Sequence, residues 1–151
     1  MGTSTYLIGI GSNRIHARAR VAAVMPKALR RSRIITSRPI GRGTRNYANA
    51  VVMIESNHKP DALLKKLKDL ERSYGRRPGR RWGDRPLDLD IIAWSGGIWA
   101  SPSLTIPHVE FRKRHFVLAP MVEITPDWRD PVTHLTARQL LARLDRKRPC
   151  A

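Results

Sequence analysis

The chain has 151 residues, with 29 Lys and Arg against 12 Asp and Glu, a formal net charge of +17. That length suits a single domain, read here as 1–151, with a real hydrophobic core, and a 41% hydrophobic content is ordinary for a globular chain. No apolar run approaches the roughly 20 residues that cross a bilayer, and a lone cysteine, Cys150, rules out a disulfide framework or a Cys-based zinc site.

The N-terminal stretch MGTSTYLIGIGSN lacks the charged lead of a signal peptide. A reducing, cytoplasmic setting is therefore expected. The positive field attracts anions, and its carriers are mostly arginine, whose planar fork suits bidentate phosphate contact. Nucleic acid, nucleotides and acidic surfaces all fit that charge.

Taken in order, Tyr6 to Ile10 reads as a short buried strand running into Gly11-Ser12-Asn13, which permits a tight turn and a close backbone approach. Ala17 to Arg30 carries Val21, Val24, Met25, Ala28 and Leu29 on one helical face, with Pro26 inside the pattern to kink or divide it. Arg33 to Ser37 reads as a second strand, 38–46 as a basic loop, and Tyr47 to Glu55 as a third strand. Tyr47, Asn49 and Val51 share one face of that strand. A buried asparagine needs hydrogen-bond partners, so Asn49 either caps the loop or reads the edge of a polar heterocycle.

Pro60 and Asp61 open a helix striped by Leu63, Leu64, Leu67, Leu70 and Tyr74. Glu71 sits in its last turn, where the helix dipole disfavours a carboxylate. It needs a local partner: an arginine of the next loop, a ligand group, or Lys68 or Arg72 if it is a surface residue. An arginine-dense loop then holds Arg76, Arg77, Arg80, Arg81 and Arg85, and leads into a strand bearing Asp88 and Asp90. These two carboxylates alternate with Leu87, Leu89 and Ile91, so they share one face while the apolar side chains take the other. Like carboxylates side by side repel, and the common relief is a divalent metal such as magnesium. Cations next to such a pair suggest a polyphosphate with its Mg²⁺. A solvated basic loop beside two surface aspartates is the plain alternative.

Ser95-Gly96-Gly97 is a hairpin turn, Ile98 and Trp99 start a returning strand, and residues 101–108 form a Pro-bounded extended segment ending at His108. Cations then lead into an apolar run, where Arg114 and Phe116 stand two apart. Trp128, a turn at Asp130-Pro131 and a final helix capped by Thr136 close the chain.

Together these motifs make the chain resemble the 6-hydroxymethyl-7,8-dihydropterin pyrophosphokinase family. The carrying residues are Gly11-Ser12-Asn13, Pro39-x-Gly41, Tyr47-Ala48-Asn49-Ala50, Arg81-Trp82-Gly83-x-Arg85-x-Leu87-Asp88-Leu89-Asp90-Ile91, Leu104-Thr105-Ile106-Pro107-His108 and Arg114-x-Phe116-Val117-Leu118-x-Pro120. The resemblance implies an α+β fold with a ferredoxin-like core, a mainly antiparallel sheet flanked by helices, and long active-site loops. It implies transfer of pyrophosphate from ATP to the pterin hydroxymethyl group, in folate biosynthesis, with two Mg²⁺ ions.

Position by position, the resemblance puts Asp88 and Asp90 at the metals and Arg76 and Arg85 at the transferring phosphates. It puts Glu71, Thr105, His108 and Arg114 at ATP, Tyr47 and Phe116 on either side of the pterin, and Asn49 at the pterin's edge. Arg77, Arg80 and Arg81 stay unassigned, because this loop is about one residue short. A basic RNA-binding module is the rival class, but the stacking aromatics of an RRM signature are missing. The expected partners are therefore ATP and the pterin rather than nucleic acid or membrane, and the chain is expected to be a monomer.

Overall fold

β1 (Ser4–Ser12) is the middle of the molecule, buried along most of its length as a strand covered on both faces must be. It pairs antiparallel with β4 (Tyr47–Ser56) on one side and β5 (Asp88–Trp94) on the other. Two short outer strands, β2 (Arg30–Arg31) and β3 (Ile35–Ser37), pair with successive parts of β4. The sheet order is β2-β4-β1-β5, with β3 beside β4. α1 (Ala17–Ala23) connects β1 to β2, and α2 (Pro60–Ser73) connects β4 to β5. This is the ferredoxin-like α+β arrangement expected from the sequence. The computed structural model describes residues 2–13, 17–37, 46–75 and 86–147. Arg76, Arg85, Trp82 and the loop residues 38–45 lie outside them.

Beyond β5 come a small hairpin of β6 (Trp99–Ser101) and β7 (Leu104–Ile106), a 3-10 turn (Phe111–Lys113), and the helices α3 (His115–Ile124) and α4 (Ala137–Arg146). Each sheet face has its own core. Tyr6, Ile8, Ile10, Leu89 and Ile91 pack against Val21, Leu63 and Leu67 of α1 and α2. Leu7, Val51 and Ile92 pack against Val117, Leu118 and Met121 of α3 and Leu140 of α4. No helix among the described residues is long and apolar enough to cross a membrane.

Several boundaries differ from the sequence reading. The helix expected over 17–30 ends at Ala23, ahead of Pro26, which cannot continue it. The chain turns, and the Leu29 N–H then donates to the Met53 carbonyl, so that Arg30 and Arg31 become an edge strand. The next strand starts at Ile35 rather than Arg33, because the Arg33 N–H is bound by the Glu123 carboxylate at 3.0 Å. α3 was not anticipated as a helix. Its apolar sequence has no polar face, and Pro120 sits inside it. α4 follows expectation, with a reciprocal cap in which Gln139 N–H donates to Thr136 Oγ1 and Thr136 N–H donates to Gln139 Oε1.

The turn before α4 is fastened by a buried ion pair. Asp130 is 0% exposed and accepts from Arg112 Nε at 2.6 Å and Nη2 at 2.8 Å. It also accepts from the Thr133 hydroxyl at 2.7 Å and the Val132 N–H at 3.0 Å. Burial alone would push this carboxyl up, but the hydrogen bonds outweigh it and hold the pKa at about 2.

Candidate active site

Leu7, Val51 and Asn49 share the α3–α4 face of the sheet. Towards the start of β5 the cross-strand register sets Asp88 opposite Gly11, and Gly11 opposite Asn49. One step along, Asp90 lies opposite Gly9, and Gly9 opposite Val51. Gly11 thus leaves the central strand without a side chain between Asp88 and Asn49, while the Ile92 side chain packs over Gly9, where an added Cβ would lie 3.3 Å from its Cδ1. A Cβ added to Gly11 would lie 3.3 Å from Asn49 Oδ1 and 3.6 Å from the Tyr47 ring, so the polar end of β4 leans over Gly11. The structure therefore brings Tyr47, Asn49 and Asp88 together around Gly11, which the sequence reading placed at a tight turn with a close backbone approach and which lies within β1.

Asp88 and Asp90 are both half-buried, on the face opposite the buried Leu89 and Ile91, as the alternation predicts. Burial raises the pKa of Asp90, and the neighbouring Asp88 raises it further. His108, Lys68 and Arg114 pull it down without cancelling the rise. The donor set fits magnesium: two hard carboxylates on one face whose mutual repulsion a divalent ion would relieve. No cluster of three or more metal-ligating side chains occurs among the described residues. Phosphate oxygens and water complete magnesium's octahedron in nucleotide sites, so two carboxylates suffice there.

His108 is carried to this site by a bulge. Leu7 faces Ala93 and Ile8 faces Ile91, which leaves Ile92 as an extra residue in β5. The Ile92 carbonyl accepts the His108 N–H at 3.0 Å. His108 Nδ1 accepts the Glu110 N–H at 3.1 Å, so the neutral ring carries its proton on Nε2 and presents it as a donor. Burial lowers the His108 pKa; Asp90 opposes this and Arg114 adds to it. Arg114 caps α3, with its guanidinium 5.7 Å from the centre of the Phe116 ring. Asp90, His108 and Arg114 thus form one electrostatically linked group.

Glu71 is 1% exposed rather than a surface residue. Its Oε2 accepts the Leu89 N–H at 2.7 Å, between the two aspartates, and Lys68 Nζ lies 3.2 Å away. Among the described residues it meets a backbone amide of β5 and Lys68, while Arg72 pairs with Asp69. Spacing alone could not reveal the Leu89 contact, because it depends on how α2 docks along β5. Thr105 is exposed on β7, with no hydrogen bond to the other candidate residues among the described contacts. Arg76 and Arg85 lie outside the described residues.

The chain is similar to known proteins of one family. Residues 7–126 match the family model for 7,8-dihydro-6-hydroxymethylpterin-pyrophosphokinase (HPPK). A Haemophilus influenzae 2-amino-4-hydroxy-6-hydroxymethyldihydropteridine pyrophosphokinase is 36% identical over 132 residues, 82% of each chain. A Synechocystis protein of the same name is 38% identical over 109 residues, covering 72% of this chain and 56% of its own length. Among solved structures, Plasmodium falciparum HPPK-DHPS with pteroate superposes with a TM-score of 0.72 at 12% identity, over 94% of this chain and 42% of that one. That last likeness speaks to the fold alone.

Proposed function

We infer the activity from the family: this chain belongs to the 7,8-dihydro-6-hydroxymethylpterin-pyrophosphokinase family, and we propose that it transfers pyrophosphate from ATP to 6-hydroxymethyl-7,8-dihydropterin, giving AMP and the pterin pyrophosphate for folate synthesis. The observation that carries this reading is the Asp88–Asp90 pair, two carboxylates on one face of β5 of which Asp90 has its pKa pushed up by burial and by its neighbour, set across the central strand's Gly11 from Asn49.

In the reaction the hydroxymethyl oxygen attacks the β-phosphorus of ATP. The bond from that phosphorus to the oxygen shared with the α-phosphate breaks, and AMP leaves with that oxygen. Such transfers depend on positioning and charge neutralisation more than on a strong base. Asp88 and Asp90 would hold Mg²⁺, which when bound neutralises phosphate charge and aligns the two reacting oxygens. Arg114 and the Nε2–H of His108 supply a cation and a neutral donor to the nucleotide side. Glu71 fixes β5 between the aspartates, so that any ATP contact it makes comes from an already occupied carboxylate. Arg76 and Arg85, matched by sequence, would offset the charge that builds on the departing α-phosphate oxygen. Tyr47 and Phe116 flank the flat ring, and Asn49 reads its edge.

The test is an incubation of the protein with ATP, Mg²⁺ and 6-hydroxymethyl-7,8-dihydropterin, with nucleotides separated by chromatography. AMP should form in step with loss of pterin. Well-folded protein that forms no AMP, or that forms ADP instead, overturns the reading.

A further inference from the structure

Asn49 is 5% exposed, and its amide is held in one orientation. Its Nδ2 donates to Ser37 Oγ at 2.7 Å and lies 3.5 Å from the Tyr47 carbonyl oxygen. Ser37 is the last residue of β3 and stands opposite Tyr47, while Asn49 stands opposite Ile35. Ser37 and Asn49 are therefore diagonal neighbours on one face of an antiparallel pair, within reach of a side-chain contact. With the nitrogen drawn towards β3, the oxygen is turned the other way, over Gly11 and towards the strand that carries Asp88. Turning the amide over would set its oxygen against the Tyr47 carbonyl, acceptor against acceptor. Ser37 supplies the short bond and Tyr47 supplies the polarity.

We propose that Ser37 is a positioning residue for ring recognition: it holds the Asn49 amide with Oδ1 facing the ligand, so that the pocket selects a heterocycle whose edge presents an N–H donor. The proposal rests on the pterin reading above and deepens it. A pterin, with its 4-oxo group, carries a hydrogen on ring N3. A 2,4-diaminopteridine of the same shape carries a lone pair there, which would face the Asn49 oxygen and be repelled. An amide released from Ser37 turns over more readily and offers its N–H₂ to that lone pair. Loss of Ser37 therefore changes the choice between the two rings, beyond weakening both.

The experiment measures dissociation constants for 6-hydroxymethylpterin and for its 2,4-diamino counterpart by ligand fluorescence, with a nonhydrolysable ATP analogue and Mg²⁺ present. Wild-type protein should favour the oxo ring. Ser37→Ala should reduce that preference by about tenfold, the scale of one neutral hydrogen bond. Ser37→Thr keeps the hydroxyl and should retain the preference; thermal melts check that both variants are folded. A preference ratio that stays the same in folded Ser37→Ala overturns the proposal alone, as does a Thr variant that loses the ratio as fully as Ala. Wild-type protein that binds neither ring overturns the proposal together with the pterin reading.

Discussion

Two carboxylate sites in this chain differ in how their charge is met. Asp130 is buried, yet Arg112, Thr133 and the Val132 amide satisfy it so fully that its pKa falls to about 2. Asp90 is also partly withdrawn from water, but its closest charged neighbour on the strand is another carboxylate, and its pKa rises. The first site is electrostatically finished by the protein and serves to fasten the fold. At the second, burial and the neighbouring Asp88 outweigh the pull of His108, Lys68 and Arg114, in a chain whose net charge is +17. Burial alone therefore does not decide which way a carboxyl's pKa moves; what separates Asp130 from Asp90 is the set of hydrogen bonds that the protein directs at the first.

The largest expected effect lies at the unfinished site. Asp88→Asn or Asp90→Asn should lower AMP formation by about a thousandfold or more, since each removes a charge that acts on the transferring phosphates. Asp90→Asn should also melt no lower than wild type, because burial and the neighbouring carboxylate both work against its charge. A variant that kept near-normal turnover would break the comparison, and so would one that unfolded.

The finished site should respond the opposite way. Asp130→Ala leaves the Arg112 guanidinium without its partner, and breaking such a pair costs about 3 kcal/mol, a fall in melting temperature of roughly 10 °C for a domain of this size. The acid limb of the stability curve sharpens this. Because the folded pKa of Asp130 lies below its ordinary 3.8, its contribution is complete above about pH 4 and is lost as the pH falls towards 2. It amounts to at most about 2 kcal/mol, less after solvent screening through the partly open Arg112. Urea titrations between pH 5 and pH 2 should show a steeper loss in wild type than in Asp130→Asn. Parallel curves would remove Asp130 from the account.

The smallest effect belongs to a carboxylate that water already serves. Glu123 pairs with Arg33 at 3.3 Å, where the Arg33 side chain is 87% exposed. Glu123→Gln should change stability by less than about 0.5 kcal/mol, and it can still accept the Arg33 N–H. A larger loss in a chemical-denaturation curve would mean that the edge at β2 and β3 depends on this charge more than its exposure implies.

The parts of this molecule that were legible in the sequence are those encoded locally. The alternation around Asp88 and Asp90, the stripe of α2 and the Thr136 cap each lie within a few residues, and the structure reproduces them. The order of motifs also pointed to the fold and the family, because the spacing of glycine, asparagine and aspartate is set by one sheet. What sequence reading missed was made by contacts between distant segments. Asp130 looked like a turn residue because its partner, Arg112, is 18 residues away on another element. Of the partners expected for Glu71, Lys68 is there, but the Leu89 amide was not foreseen, because it comes from a strand that α2 flanks. α3 was hidden because a helix buried between a sheet and α4 has no amphipathic stripe to detect. Ser37 carried no signal at all; its role depends on which residue of β4 stands diagonally across from it.

The central position of β1 also bears on how the chain is made. As synthesis proceeds, β1 emerges well before either strand that will flank it: Ser12 waits for Ala48, and Tyr6 waits for Trp94. Until then a strand bearing Tyr6, Leu7, Ile8 and Ile10 has two unpaired edges, a template for wrong pairing with other chains. Sheet closure must also await the loops between these segments, which makes folding depend on distant rather than local contacts. Gly9 and Gly11 interrupt the apolar run on β1 and so weaken its strand propensity while it is unpaired. The glycine that leaves room for the Asn49 side chain in the finished sheet thus also moderates the nascent strand.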